Sequence, residues 1–441
     1  MLPQQHLSRW SWRALGAACS VGCAGAVIAC GDASSLAVWD GVVRDSAGIE
    51  IIENFGTPLW REGEPWTFTE VLRIGVVEGD SLYEFGRITG MAVLSDRRVV
   101  VADAMSHNLR FFSVDGVCEQ TVGMQGRGPG EFGDGFLGLL HGPGDTLLVR
   151  DVANGQMHTI APDGTILGSF STSADEGYYS AGWDDDVATG RLVSSLVPLQ
   201  LPNQPPTDTF DIVLARDVHG AVLDTVARVP TSARFSSAGE ATLRHYYRGS
   251  PDFDLCGEGI VSGRSDDYRL LWSGPGGNVS RIITMPWEPL SMTDADHSII
   301  EDRIDEMLQQ YQVPLARANE FKATLRFEST YPAYRRLVCG PSTTVLVQHV
   351  RPVRDLTKDE RKDLPTYMTG LPGTVEWDVF DRTGRYLGIA AIPGTDWVAG
   401  WRNPRFVRDH TSGTWYAYSV WSDTLDVEYV VAWQLEGNMP E

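Results

Sequence analysis

The sequence predicts an all-β fold, a six-bladed β-propeller whose N-terminal strand closes the last blade and which carries a short helical insertion. Three observations predict it. The 441 residues include 46 Gly and 24 Pro, the punctuation of a chain that reverses often between short strands. Apolar runs of about five residues recur at a fixed spacing, a sign of repeated supersecondary units. The last such unit lacks a fourth strand, and a strand-like run at residues 66–74 stands outside the first full unit. Pairing the two closes the ring and removes two open sheet edges.

The repeat is plainest near the start. Val99-Val100-Val101-Ala102-Asp103 leads to Leu109-Arg110-Phe111-Phe112 and then Asp115-Gly116. Leu147-Leu148-Val149-Arg150-Asp151 leads to Met157-His158-Thr159-Ile160 and then Asp163-Gly164. Asp103 and Asp151 are 48 residues apart, as are Asp115 and Asp163, and the apolar positions overlay without a gap. Asp-Gly suits a tight reversal because Gly accepts positive φ and Asp bonds nearby backbone N–H groups. Asp103 and Asp151 fall at strand ends, where such a turn is their expected role.

Looser copies follow. Residues 211–217 lead to His219-Gly220, residues 259–261 to Gly276-Gly277, and residues 344–347 to Thr383-Gly384. A final unit has strand-like runs at 414–418 and 427–435 but no reversal and no fourth strand. With the borrowed run at 66–74, the count is six. Between the fourth and fifth units the period changes to that of a helix. Thr293 with Asp296 reads as a capping box, and Ile300, Ile304, Met307, Leu308 and Tyr311 form an apolar stripe up to Pro314. A second helix is expected to run to about Phe327. The insertion, about 293–327, either packs its stripe on the propeller or caps one face of the ring.

The first thirty residues read as an address. Arg9 and Arg13 are the only Lys, Arg, Asp or Glu before an uncharged run at 14–29, rich in Ala, Gly and Val, that ends Val27-Ile28-Ala29-Cys30. A basic start, a short apolar run and a small-residue exit suit a signal peptide over residues 1–29. The exit resembles a bacterial lipobox, which implies cleavage before Cys30 and its diacylation. Residues 30–65 read as a tether with one added strand around Ile49-Glu50-Ile51-Ile52, and 66–436 as the propeller. Gly31 after Cys30 resembles outer-membrane sorting in Gram-negative lipoproteins.

Charge excludes some partners. Lys and Arg total 36 against 58 Asp and Glu, a net charge of −22. Cleavage after residue 29 removes two positive charges, leaving 34 against 58, or −24. Such a body disfavours nucleic acid and anionic lipid headgroups, so membrane attachment rests on the lipid anchor alone. Past the signal and the anchor Cys30, only Cys118, Cys256 and Cys339 remain, allowing one disulfide without fixing which pair.

Gly126-Arg127-Gly128-Pro129-Gly130-Glu131-Phe132 lies between the first two units and resembles the Gly-x-Gly-x-Gly-Glu-Phe signature opening an NHL-type blade. With Tyr83-Glu84-Phe85-Gly86, the chain resembles bacterial six-bladed β-propeller lipoproteins related to NHL-repeat proteins, most specifically over about residues 70–170. The resemblance implies a propeller at a cell envelope. Within the signature, Phe132 is expected to pack between blades. Arg127 and Glu131 are the candidate binding-face residues, set either to pair with each other or to point to the ring's face.

No catalytic constellation emerges. There is no Gly-x-Ser-x-Gly elbow, no His-Glu-x-x-His and no calcium loop. Asp184-Asp185-Asp186 reads as a solvated turn. His107 and His158 read as exposed or hydrogen-bonded histidines. Tyr246-Tyr247 and Trp183 read as packing aromatics that could otherwise stack on a sugar or peptide. No catalytic, metal-binding or cofactor-binding residue is assigned, and no cofactor is named. The expectation is a lipid-anchored envelope propeller acting as a binding module for a protein, peptide or glycan. The alternative is a calcium-dependent lactonase-like hydrolase with its site in the central channel.

Overall fold

A computed structural model describes residues 38–439, apart from 62–63, 136, 173–177, 187–190, 199–208, 232–234, 239–240, 275–276, 367–369, 397–402 and 424. Cys30 and the signal segment lie outside the described residues.

Six four-stranded antiparallel arrays form the ring. Blade 1 is Ile88–Val93, Val99–Asp103, Asn108–Phe112 and Cys118–Val122. Blade 2 is Leu137–His141, Leu147–Asp151, Gln156–Ile160 and Ile166–Ser171. Blade 3 is Tyr178–Asp186, Arg191–Pro198, Phe210–Arg216 and Val222–Pro230. Blade 4 is Pro251–Cys256, Gly259–Arg264, Arg269–Ser273 and Val279–Thr284. Blade 5 is Arg336–Cys339, Val345–Val350, Gly373–Phe380 and Tyr386–Ala391. Blade 6 is Arg405–Arg408, Trp415–Ser422, Glu428–Glu436 and, from the N-terminal side, Thr67–Ile74. First strands of blades 1 and 2, of blades 2 and 3, and of blades 4 and 5 touch, so they line the axis.

The closure expected from the sequence is present. Thr67–Ile74 runs antiparallel to Glu428–Glu436, with Phe68 opposite Leu435 and Ile74 opposite Val430. It also accounts for the turn missing from the last unit. The reversal between third and fourth strands carries a left-handed glycine in the other five blades: Gly116, Gly164, Gly220, Gly277 and Gly384, at φ of 79°, 84°, 84°, 74° and 87°. Blade 6 needs no such turn because its fourth strand arrives from elsewhere in the chain.

Blade strands are continuously apolar because both sheet faces are covered. Val99 and Val101 pack towards blade 6, against Tyr418, Val420 and Val430. Val100 and Ala102 point the other way, against Leu139, Leu147 and Val149 of blade 2. Successive side chains of a strand alternate faces, so a sheet wedged between two others requires apolar residues at every position. Phe132 is fully buried in the blade 1–blade 2 layer, as its signature position implies.

Three parts of the structure differ from the sequence reading. First, much of the expected tether is folded onto the ring. Gly41–Ser46 and Ile49–Asn54 form a hairpin, and the latter strand runs parallel to the outermost strand of blade 4. Asn54 bonds the carbonyls of Thr284 and Gly384 and accepts from the Tyr386 N–H, joining blades 4 and 5. Leu59 and Trp60 then donate to Tyr386 and Leu387 of blade 5. Residues 41–74 thus cover the outer edges of three successive blades. Open strand edges offer backbone partners, and this segment takes them.

Second, the insertion builds a cap. α1 is Asp294–Gln310, with the expected Thr293–Asp296 capping box, and α2 is Leu315–Ala323. Leu325–Phe327, expected at the end of a helix, is instead a strand parallel to Ala241–Tyr246. Ile300, Ile304 and Leu308 bury in one cluster with Tyr246, Tyr247, Tyr331, Val353, Leu356 and Leu364, which meets the end of a blade 5 strand at Val350. Tyr311 is 73% exposed and lies off the buried stripe. Inserted segments from three inter-strand loops supply this separate core. Tyr246 and Tyr247 are therefore packing residues.

Third, Asp184-Asp185-Asp186 ends the first strand of blade 3 and is not a turn. Asp184 pairs with Val193, Asp185 with Leu192 and Asp186 with Arg191. Backbone ladder bonds are indifferent to side-chain charge at a strand end, so composition misleads there.

Cys256 and Cys339 are joined as a disulfide, while Cys118 is free. Among the described residues, no helix is long and apolar enough to cross a membrane.

Candidate functional site

The repeat itself generates the site. At the end of the second strand, Asp103 of blade 1 and Asp151 of blade 2 are both fully buried. Each reaches back to the loop before its blade: Asp103 accepts from the Gly86 and Arg87 N–H groups, and Asp151 from that of Gly133 at 2.8 Å. Each also caps its own turn, through Met105 and Ser106 in blade 1 and Asn154 in blade 2. The expected turn role is thus extended into a brace between successive loops.

The third strand distinguishes the two blades. Arg110 of blade 1 is 48 residues before His158 of blade 2, in the gap-free part of the repeat. Arg110 lies over Phe85 at 5.2 Å, and His158 meets Phe132 edge-on at 5.3 Å, so the two side chains share one structural position. Arg110 spans the space to the preceding loop. It donates to Asp103 at 3.2 Å, to the Ser106 hydroxyl at 2.9 Å, and to the carbonyls of Leu82 and Glu84 at 3.2 and 2.7 Å. His158 is too short to repeat this. Its Nε2 stops 3.9 Å from Asp151, and among the described residues neither ring nitrogen, both of them buried, has a hydrogen-bond partner.

Beside His158 in blade 2 lies a pocket. It has a volume of about 410 Å³ and is lined by Arg127, Gly128 and Pro129 of the signature loop, Ala153, Asn154, Gln156, His158 and Ser169. Its wall thus comes from the signature loop, a turn and the two outer strands of blade 2, not from the axial channel. The size lies at the small-molecule end of the usual range for ligand sites.

Electrostatics follow from this packing. The His158 side chain is 5% exposed. Burial holds its pKa below the ordinary imidazole value, although Asp151 opposes the shift. The ring is therefore neutral near pH 7, offering one donor and one acceptor. Asn154 is committed: its amide donates to Asp151 at 2.7 Å and to the Gly126 carbonyl at 3.0 Å, pinning the signature loop to the turn.

The two candidate binding-face residues divide. Glu131 accepts from the backbone N–H groups of Gly128 and Arg127 at 2.8 Å each, and these bonds hold its carboxyl below the usual carboxylate range. It shapes the loop and does not line the pocket. Arg127 does line it; its guanidinium is exposed and makes no hydrogen bond or ion pair among the described residues. The two side chains do not pair; Glu131 Oε2 accepts from the Arg127 backbone instead.

The other sequence candidates lie elsewhere. His107 is hydrogen-bonded as expected, its Nδ1 3.0 Å from the Gly133 carbonyl. Trp183 packs on Phe170, with Arg216 over its ring. His158, expected to be exposed or hydrogen-bonded, is neither. Its signal was present in the overlay, where it is a short side chain aligned with a long cation. In blade 5 the polarity is inverted: His349 stands where Asp103 stands, and Asp378 where Arg110 stands, with Nε2 to Oδ2 at 3.0 Å. Tyr268 and Tyr386 also donate to Asp378, at 2.7 and 3.0 Å, completing a structural cluster. Among the described residues, no three His, Cys, Asp or Glu side chains are grouped to hold a metal ion.

No protein-family description matches the chain, and no curated protein matches it in sequence. Many solved structures match it in fold. One is a member of the DUF4221 family from Bacteroides vulgatus, 11% identical, with a TM-score of 0.51 over 85% of this chain and 99% of that one. Another is a putative exported protein from Bacteroides fragilis, 12% identical, with a TM-score of 0.45 over 88% and 100%. A gluconolactonase from Xanthomonas campestris is 11% identical, with a TM-score of 0.38 over 80% and 88%. At these identities the likeness is one of fold. The chain is a six-bladed β-propeller.

Proposed function

We propose that this chain is an exported lipoprotein of the cell envelope, related to NHL-repeat propellers, that serves as a ligand- or protein-binding module. The observation that carries the reading is the blade 2 pocket. It is concave and polar, and it is lined by His158, which stands in blade 2 where Arg110 stands in blade 1.

Export is supported by the lipobox-like exit at Cys30 and by the Cys256–Cys339 disulfide, a bond that persists in oxidising compartments. Gly41, where the first strand begins, follows Cys30 by eleven residues. At about 3.3–3.6 Å per residue, the anchor would hold that strand within roughly 40 Å of the membrane surface.

Two measurements test the reading. Cys30→Ala should release a folded body from the membrane fraction after a high-salt wash; retention there would end the lipid-anchor assignment. Cross-linking and affinity capture from native envelope should recover a partner or ligand that His158→Arg, which fills the pocket, no longer retains. Equal recovery by both proteins would end the assignment of binding to this pocket.

A further inference from the structure

We propose that the outer edge of the N-terminal hairpin pairs with its counterpart on a second copy of this chain, Val43 opposite the partner's Val43, to make a symmetric dimer joined by one continuous sheet. The proposal goes beyond the binding-module reading and does not depend on it. The hairpin adds two strands to blade 4, so that among the described residues its first strand, Gly41–Ser46, is the free edge of a six-stranded sheet. Its pairing with Ile49–Asn54 runs in unbroken register from Gly41 to Ser46. By contrast, the outer strand of every blade pairs with its neighbour through a register shift. Such bulges twist an edge away from further pairing, and the hairpin edge lacks one. Its charges are also turned back on the hairpin itself. Arg44 meets Glu53 at 3.0 Å, and Asp45 accepts from the Gly48 N–H at 3.3 Å. What the edge presents is backbone, flanked by Val42 and Val43, 38% and 49% exposed.

Hydrogen-bond parity defines the register. Across the hairpin, the Phe55 N–H donates to the Asp40 carbonyl. In an antiparallel ladder, residues bonded to one neighbour alternate with residues bonded to the other. Asp40 therefore sets Val42, Arg44 and Ser46 towards the second strand, while Gly41, Val43 and Asp45 present their N–H and C=O groups outwards. A two-fold axis perpendicular to a sheet keeps each face on its own side, so it must pass midway between a residue and its own copy. Placed at Val43, the axis sets Gly41 opposite the partner's Asp45, Val43 opposite the partner's Val43, and Asp45 opposite the partner's Gly41. Every outward residue then meets an outward residue, at two bonds for each pair, roughly six in all. Val42 falls opposite the partner's Arg44, so no like charges face each other. Placed at Arg44, the axis would oppose two guanidinium groups; placed at Val42, it would carry Asp45 past the end of the partner's strand. A pairing this short falls at the weak end of specific interfaces, so the dimer is in equilibrium with its monomer.

The test is sedimentation equilibrium of the full chain in detergent, in about 0.5 M salt, which screens two bodies of net charge −22 from each other. Half the chains should be paired at about 10–100 µM. Val43→Pro removes an outward N–H that no bond within the hairpin uses, and Val43→Lys sets two cations opposite each other. Each should raise the dissociation constant about tenfold or more and leave the melting temperature unchanged; the lysine variant keeps the test open where proline loosens the hairpin. Oxidation reads the register. Val43→Cys should form a disulfide-linked dimer beyond the background set by the parent chain's own cysteines, because a bonded antiparallel pair holds its Cα atoms about 5.5 Å apart. Val42→Cys should not, since its two copies are offset by two strand positions and stand roughly 8 Å apart. A chain that stays monomeric to about 500 µM, a dimer indifferent to both Val43→Pro and Val43→Lys, or cross-linking through Val42→Cys in preference to Val43→Cys would overturn the proposal.

Discussion

Removing the Cys256–Cys339 disulfide by a Cys256→Ala/Cys339→Ala double substitution should lower stability by about 2–4 kcal/mol. The bond joins the first strand of blade 4 to the first strand of blade 5, with Cα atoms 5.2 Å apart and a sequence separation of 83. Loop-closure entropy for a separation of that size gives about 4.5 kcal/mol, near the upper end of what native cross-links contribute. The same two strands are held by other bonds that the substitution leaves in place. Asp252 accepts from the Leu337 N–H at 2.8 Å, and Asp254 from the Cys339 N–H at 2.7 Å. Valines and aromatics on both sides also bury between the blades. The folded ring should therefore survive, and the loss should come from a freer unfolded chain. With an unfolding entropy of about 2.1 cal/mol/K per residue over roughly 400 residues, the melting temperature should fall by about 2–5 °C. Scanning calorimetry and urea titration of both proteins, with and without reductant, would measure it. Reductant should move the parent protein to the variant's midpoint and leave the variant unchanged. Coincident midpoints in oxidising buffer would refute the reasoning, because they would mean that the cross-link does not restrict the unfolded chain.

Three further outcomes follow from the same contacts. Arg110→His should remove the counter-ion of the buried Asp103 and the bonds to the Leu82 and Glu84 carbonyls, while backbone N–H groups and the Ser106 hydroxyl still bond Asp103; a loss of about 3–5 kcal/mol is expected by urea titration. Gly164→Ala should cost about 1–3 kcal/mol in the same assay, since φ is 84° and the new Cβ would meet Val122 Cγ2 at 2.7 Å. Burial opposes charge on His349, yet its bonds to Asp378 and the nearby Glu376 prevail and raise its pKa. A raised folded pKa adds stability that is full below the unfolded value of about 6.5 and is lost as pH rises through the folded value. The parent should therefore exceed His349→Gln in stability by more at pH 5.5 than at pH 8.5, as read from urea midpoints; an equal difference at both would show that the pair does not titrate.

Ring closure, blade number and the signature loop were legible in the sequence because each rests on local chemistry repeated at a fixed interval. Glycine at a left-handed turn, apolar residues at every strand position and an aspartate at a strand end each have one energetic solution, and the repeat states it several times. The cap was only half legible. Its helix start is a local bond pattern between Thr293 and Asp296, but the face covering Ile300 and Ile304 is assembled from Tyr246, Tyr331 and Val353, which are far apart in sequence. The outer wrap at residues 41–60 was read as a tether because unpaired edges on blades 4 and 5 exist only once those blades are placed.

The pocket divides in the same way. Sequence alone placed Arg127 and Glu131 on one loop and aligned His158 with Arg110. It could not decide which of the two loop residues would remain free, nor that the imidazole would fall short of the carboxylate that the guanidinium meets. Those outcomes depend on reach across space. Glu131 turns back onto two N–H groups of its own loop, and His158 ends 3.9 Å from Asp151. A linear repeat specifies which side chains recur; only the packed ring fixes how far each must extend to meet its partner.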